Sequence, residues 1–290
     1  MGSPGKRFRD ALREETPLQI VGVINALCAM MAERAGFLAL YLSGAGVANA
    51  SHGLPDLGVT TINDVVTDAT RIVSASSLPL LVDIDTGWGT ELTIGRAIRE
   101  LERTGVAGVH VEDQVTAKRC GHRPGKQLVA PEEMQARIAA ACDQRRDTDF
   151  VIMARTDAVA VEGLDRAIER AIGYVNVGAD MIFAEAIGNI EDLRRFTSAV
   201  TVPVLANMTE FGKTPYWDLQ EFRAAGAKMV LYPLTAMRAM NQAAMHAYQT
   251  LREQGSQRAI LDQLQTRDQL YDLLHYHAAE QRLDRERQAP

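Results

Sequence analysis

The run Lys118-Arg119-Cys120-Gly121-His122-Arg123 places a thiol directly after two cations and shortly before a histidine and an arginine. Surroundings of this kind stabilise a thiolate, and the glycine beside the cysteine permits a tight, mobile turn. The polar stretch 114–128 around it is long for a connecting loop and reads as a lid that closes over a site. The alternative is a basic surface loop with an incidental cysteine. An exposed free thiol is a liability, which favours a functional one. Lys118, Cys120 and His122 are therefore candidate catalytic residues.

A second group is Asp83-Ile84-Asp85-Thr86-Gly87-Trp88-Gly89. Carboxylates at i and i+2 fall on one side of an extended chain. Two hard oxygens side by side suit Mg²⁺, with Mn²⁺ as the alternative, because such an ion keeps waters and takes one or two protein carboxylates. A solvated turn would use the same residue types. Glu112, and Asp56 in Gly53-Leu54-Pro55-Asp56, strengthen the metal reading. Arg155, Arg238 and Arg267 are candidate carboxylate clamps, since a guanidinium grips a carboxylate bidentately. For Arg238 and Arg267 a place on a helix surface is the stronger reading. His110 lies inside an apolar run and reads equally well as a core histidine.

These residues need a frame. Apolar runs at 18–24, 37–42, 78–82, 107–111, 150–154, 180–184, 202–206 and 229–232 are continuous rather than alternating, as parallel strands buried on both faces are. Amphipathic helical patterns separate them, and Gly36, Gly105, Gly178 and Gly226 stand where left-handed helix caps belong. Eight such units predict an α/β fold, a (β/α)₈ TIM barrel, with a doubly wound open sheet as the alternative. Polar residues recur at the strand ends: Ser43, Asp83, Asp85, Glu112, Arg155, Asp157, Glu185, Asn207 and Thr209. In a barrel those ends share one mouth, where the active site lies. Residues 1–16 form a short helix able to cover the closed end. Helical patterns at 256–265 and 268–282 lie beyond the eighth unit, in a C-terminal helical extension from about 254 to 290. The expectation is a single domain, 1–290.

The bulk numbers agree. The chain has 290 residues, a net charge of −6 and three cysteines, Cys28, Cys120 and Cys142. An odd, sparse set is no disulfide framework, and mild acidity argues against a nucleic-acid surface. No stretch resembles a signal peptide or a spanning helix, so the expected setting is cytoplasmic, with neither membrane nor nucleic acid as a partner.

The run 118–124 resembles the cysteine loop of the isocitrate lyase/phosphoenolpyruvate mutase superfamily. The resemblance extends over nearly the whole chain, through Ser3-Pro4-Gly5-Lys6, Leu54-Pro55-Asp56-Leu57-Gly58, the segment Ile152 to Ala158, Asn207 to Gly212, and Gln265-Thr266-Arg267. The long insertions of full-size isocitrate lyases are missing, and Arg119 with Arg123-Pro124 follows the branch that cleaves methylisocitrate. The resemblance implies a barrel whose last helix is swapped with a neighbour, giving a homotetramer of paired dimers. It implies cleavage of the tricarboxylate (2S,3R)-2-methylisocitrate to pyruvate and succinate, within the methylcitrate cycle of propionate catabolism. By position, Asp83 and Asp85 would hold Mg²⁺, with Asp56 and Glu112 in support. Ser43, Gly44, Ala45, Cys120, Gly121, Arg155, Glu185, Asn207, Thr209, Arg238 and Arg267 would bind substrate. Arg155 would offset developing charge, Cys120 would protonate the leaving succinate carbon, and Tyr41 is the candidate base for the substrate hydroxyl. Family members usually carry Ser-Gly-Gly where this chain has Ser43-Gly44-Ala45. Competing readings are a sibling 2,3-dimethylmalate or isocitrate lyase, a phosphoenolpyruvate mutase-like enzyme, and a non-catalytic binding protein.

Overall fold

Short runs of Val, Ile, Leu, Met and Ala with no polar alternation can hide both faces only in the middle of a layered fold. The computed structural model, which describes residues 2–288, shows this arrangement. The strands are β1 (Leu18–Gly22), β2 (Ala39–Leu42), β3 (Leu80–Asp83), β4 (Gly108–Glu112), β5 (Val151–Thr156), β6 (Met181–Ala184), β7 (Val204–Asn207) and β8 (Met229–Tyr232). All neighbours are parallel, β8 closes back onto β1, and the order around the barrel is the order in the chain. All strand residues but Gln19, Val21 and Tyr232 are buried. Strands 3 and 7 begin after Pro79 and Pro203 rather than before them, because proline cannot donate to the ladder.

Two cores result. Alternate strand residues, among them Ile20, Ala39, Tyr41, Leu81, Met153, Phe183, Leu205 and Leu231, fill the barrel's interior. The others face the surrounding helices. The expected N-terminal helix is Pro4–Glu14, and its Phe8 and Ala11 pack into the interior cluster from the closed end. Arg9 ties it there, donating to the Asp149 carbonyl (3.0 Å) and Asp180 Oδ1 (2.9 Å). The four predicted cap glycines all have positive φ, between +84° and +111°.

The chain forms two compact units, divided between Met237 and Arg238. The second carries the helices Arg267–Leu273 and Tyr276–Gln288. The expected helix at 256–265 is instead a single stretch of tighter 3₁₀ winding, Arg258–Gln263. The expected helix at 268–282 is broken at His275, whose φ of +51° no continuous helix accommodates. No helix among the described residues is long and apolar enough to cross a membrane.

Candidate active site

Strand register assembles the mouth of the barrel. Asp83 on β3 lies opposite His110 on β4, Glu112 on β4 opposite Arg155 on β5, and Arg155 opposite Phe183 on β6. The cavity there is lined by Tyr41, Ser43, Ala45, Asp56, Asp83, Lys118, Cys120, Gly121, His122, Arg155, Glu185, Asn207 and Thr209, with Phe183, Leu231, Pro233 and Leu234 as its apolar side. Most sequence candidates thus converge. Arg238 and Arg267 belong to the second unit, where both are exposed. Phe183, Leu231, Pro233 and Leu234 were not singled out in the sequence, since apolar residues at a strand end look like any other core.

The two aspartates meet by a turn rather than by strand alternation. β3 ends at Asp83, and Asp85 has a φ of +48°. A non-glycine residue there costs on the order of 1 kcal/mol, least for Asp and Asn. The Asp85 N–H donates to Asp83 Oδ1 (2.9 Å) and holds the turn. The Gly44 N–H donates to Asp83 Oδ2 (3.0 Å), so it serves the aspartate rather than an open cavity. A Cβ on Gly44 would come within 2.8 Å of Asp85 Oδ1.

Charges crowd this corner. Burial drives the Asp83 carboxyl upward, but His110, Lys118 and Arg155 outweigh it and hold it at about 2. Burial and then the charge of Asp83 push Asp85 up to about 6. Glu112 is raised well above the usual carboxylate range by burial. Burial also drives His110 down to about 4. The imidazole is therefore uncharged at neutral pH, and Lys118 and Arg155 are the cations that keep Asp83 ionised. Lys118 Nζ pairs with Asp56 and stands 2.7 Å from Asp85 Oδ1. The contact with Asp85 Oδ1 is an ion pair. Glu112 Oε1 has no hydrogen-bond partner.

A cluster of buried acids in which Lys118 is the cation at Asp85 Oδ1 and Glu112 Oε1 has no hydrogen-bond partner fits a further cation. Among the described residues no group of three or more His, Cys, Asp or Glu is placed to hold a metal ion. An ion held by Asp83 and Asp85 would therefore keep water ligands, as Mg²⁺ does.

His110 is the residue that the sequence left undecided. Its ring is fully buried and stacked on Tyr41, with Nε2 2.8 Å from the Tyr41 hydroxyl. That hydroxyl also lies 3.3 Å from Asp83 Oδ2. Burial and the charge of Asp83 raise the phenol well above its ordinary value, so it is a neutral hydroxyl at rest.

The loop 114–128 hangs from a small antiparallel neck, where Gln114 faces Leu128 and the Val129 N–H donates to the Asp113 carbonyl (2.9 Å). The Lys213 N–H donates to His122 Nδ1 (3.0 Å), and His122 Nε2 faces Glu185 Oε1 at 2.8 Å. Burial would raise Glu185, but Arg155 and then His122 and Lys126 hold it at about 2. Cys120 is exposed at the cavity's rim, whereas Cys28 is buried and Cys142 half-buried. Gly121 passes so close to Arg155 and Glu185 that no Cβ would fit.

Barrel, acid cluster, guanidinium and thiol loop together form a polar cavity at a barrel mouth, the place where enzymes of this fold carry their active sites. The phosphoenolpyruvate phosphomutase family model matches residues 8–252. A 2-methylisocitrate lyase from Shewanella oneidensis is 61% identical over 97% of both chains. One from Escherichia coli is 56% identical over 97% of this chain and 96% of its own. Among solved structures, a 2,3-dimethylmalate lyase of the PEP mutase/isocitrate lyase superfamily superposes with a TM-score of 0.91 at 33% identity, over 100% of this chain and 97% of its own. A phosphonopyruvate hydrolase in complex with oxalate and Mg²⁺ does so with 0.85 at 26% identity, over 96% and 97%. The chain belongs to the phosphoenolpyruvate mutase/isocitrate lyase superfamily, and its relatives group it with the carbon–carbon lyases of that superfamily.

Proposed function

We propose that this chain cleaves 2-methylisocitrate to pyruvate and succinate with the help of Mg²⁺, as a step of the methylcitrate cycle. The observation that carries the reading is one cavity holding the Cys120 thiol, the buried Arg155 and the carboxylates of Asp56 and Asp83, with an apolar side of Phe183, Leu231, Pro233 and Leu234. The polar groups suit the carboxylates of the substrate. The apolar side gives a substrate methyl group a place to lie out of water.

Asp83 and Asp85 would hold the metal, with Asp56 and Glu112 behind them, and the bound ion would supply Lewis-acid stabilisation to oxygens of the pyruvate half. Ser43, Asn207, Thr209 and Glu185 orient the substrate. Arg155 offsets negative charge as the carbon–carbon bond breaks. Cys120, as the thiol, gives its proton to the succinate carbon. Tyr41 is recast by its surroundings. A neutral phenol takes the substrate's hydroxyl proton only by passing its own onward, and His110 Nε2 and Asp83 Oδ2 are the acceptors within reach. It acts as a relay, not as a standing phenolate.

The exposed Met245, Tyr248 and Leu251 of Thr235–Gln254, with Leu264, Leu274 and Leu283 beyond it, call for a partner surface, and the assembly proposed is a helix-swapped homotetramer. In such an assembly Arg238 and Arg267 would complete substrate sites.

The test supplies the protein and Mg²⁺ with 2-methylisocitrate, isocitrate or 2,3-dimethylmalate in turn and follows 2-oxoacid release. Preference for 2-methylisocitrate over isocitrate of about 10- to 200-fold is the expected worth of one buried methyl group. Preference for isocitrate, or cleavage of none of the three, overturns the reading.

The metal assignment carries its own pH test. A carboxyl raised to about 6 in the folded state contributes stability that is complete below its unfolded value of 3.8 and is lost as pH rises through 6. A cation taking the proton's place restores it above pH 6. Saturating Mg²⁺ should therefore raise the melting temperature by about 5 °C or more at pH 7.5, and by less than half of that at pH 5. His110, held at about 4, loses stability toward acid over the same window. The quantity to compare is thus the Mg²⁺ increment at each pH rather than the melting temperature itself. Equal increments would remove Asp85 from the metal site.

A further inference from the structure

We infer that Lys126 is a positioning residue, a latch whose ammonium ties the Cys120 lid to Asp157 and thereby fixes Gly121 and Arg155 for catalysis. The inference deepens the functional reading above and rests on it for the identity of the substrate.

A lysine on a mobile polar loop ordinarily reaches into solvent. The Lys126 side chain is instead 2% exposed, and its one ammonium bridges two parts of the molecule. It donates to the Gly121 carbonyl at 2.6 Å, within the lid, and to Asp157 Oδ1 at 2.7 Å, just past the end of β5. Asp157 is fully buried and takes Arg155 as well, Nε on Oδ2 at 2.9 Å and Nη2 on Oδ1 at 3.3 Å. One carboxylate therefore sets both the lid and the guanidinium.

Asp157 is itself anchored. Its N–H donates to Asp113 Oδ1 (2.9 Å), while Asp113 Oδ2 accepts from Thr156 Oγ1 (2.7 Å) and the Tyr174 hydroxyl (2.9 Å). Arg170 donates to the Val129 carbonyl (3.0 Å) at the foot of the lid. This frame belongs to the barrel and its helices, so Lys126 is the member of the latch that moves with the lid.

The consequence for the site is geometric and electrostatic. Gly121 lies against Arg155 and Glu185 without room for a Cβ, so a shift of its peptide moves the backbone that carries Cys120. Arg155 also faces Glu112 (3.3 Å) and Glu185 (3.7 Å). With Lys126 sharing the charge of Asp157, Arg155 is not wholly consumed by its own carboxylates and can meet one on the substrate. When the lid lifts, Lys126 passes into water and Asp157 keeps Arg155, so the latch can open without stranding a bare buried anion.

The test compares wild type, Lys126→Met and the milder Lys126→Gln, which keeps a donor for Gly121 but leaves Arg155 as the cation on Asp157. The first readout needs no substrate: tryptic cleavage of the Arg119–Cys120 bond in the ligand-free, folded enzyme. The second is cleavage of 2-methylisocitrate with Mg²⁺, resolved into kcat and KM. We expect faster cutting of that bond in both variants, most in Lys126→Met, and a fall in kcat/KM of about 10²-fold in the methionine variant, carried mainly by kcat. An unchanged rate of cutting, or kcat/KM per folded molecule within a few-fold of wild type, overturns the latch. Recovery of both variants only as unfolded protein overturns it too, by making Lys126 a residue of folding. If wild type cleaves none of the candidate substrates, the functional reading has failed, and the proteolysis still decides the latch.

Discussion

Cys120→Ser is expected to lower the rate of 2-methylisocitrate cleavage by about 10³–10⁴-fold, the upper part of what a positioned general acid contributes. The serine hydroxyl is nearly isosteric with the thiol and sits on the same loop, but it is a far weaker acid. The loss should therefore fall on kcat. Mg²⁺ and pyruvate engage groups on other elements, so their binding, read as a rise in melting temperature, should stay close to wild type. The reverse direction gives an independent check. With Mg²⁺ and pyruvate present, wild type should exchange a succinate methylene hydrogen with solvent deuterium, followed by NMR, and the serine variant should not. Turnover near the wild-type rate in Cys120→Ser would remove the thiol from the reaction. A serine variant that also fails to bind Mg²⁺ would show damage beyond the Cys120 loop, and its lost turnover would not count for the acid role.

How much of this site could be read in advance follows from where each signal resides. The barrel was legible because a strand buried on both faces must be apolar throughout, and Val151 to Ala154 or Met181 to Ala184 can be little else. The strand-end rule then places Asp83, Arg155, Glu185 and Asn207 at one mouth. Contacts that depend on register were not legible. His110 differs from a core histidine only by standing opposite Asp83, within reach of Tyr41, and no local pattern records that pairing. The left-handed turn at Asp85 escaped for the opposite reason, since Asp-x-Asp at a strand end is equally good as extended chain. Lys126 was hidden by its own type: a lysine beside Gly125 in a polar loop looks solvated, and only its burial against Asp157 shows otherwise. The segment 256–265 misled because helical spacing of apolar residues is shared by short 3₁₀ turns.

Arg155→Met should damage activity and folding together, and the two losses can be separated. The guanidinium is flanked by Asp157 (2.9 Å), Glu112 (3.3 Å) and Glu185 (3.7 Å), lies over the Phe183 ring at 5.1 Å, and has a side chain only 10% exposed. Removing it leaves buried carboxylates facing one another, which is expected to cost about 3–5 kcal/mol of stability. Loss of a preorganised positive group at the reacting carboxylates should lower kcat/KM by about 10²–10³-fold. Glu185 supplies the means of separation. Held at about 2 in the native site, it contributes stability that is full above 4.5 and disappears as pH falls from 4.5 to 2. Without Arg155, its largest favourable partner, the folded carboxyl must rise, so that contribution shrinks at neutral pH and the variant's optimum for stability moves toward acid. Urea unfolding at pH 7 and pH 5 reads this directly: the deficit of Arg155→Met against wild type should be smaller at pH 5. Adding Glu185→Gln removes the stranded charge and should recover part of the stability at pH 7 while restoring no activity. A deficit independent of pH would mean that lost packing over Phe183, rather than uncompensated charge, is what Arg155 prevents.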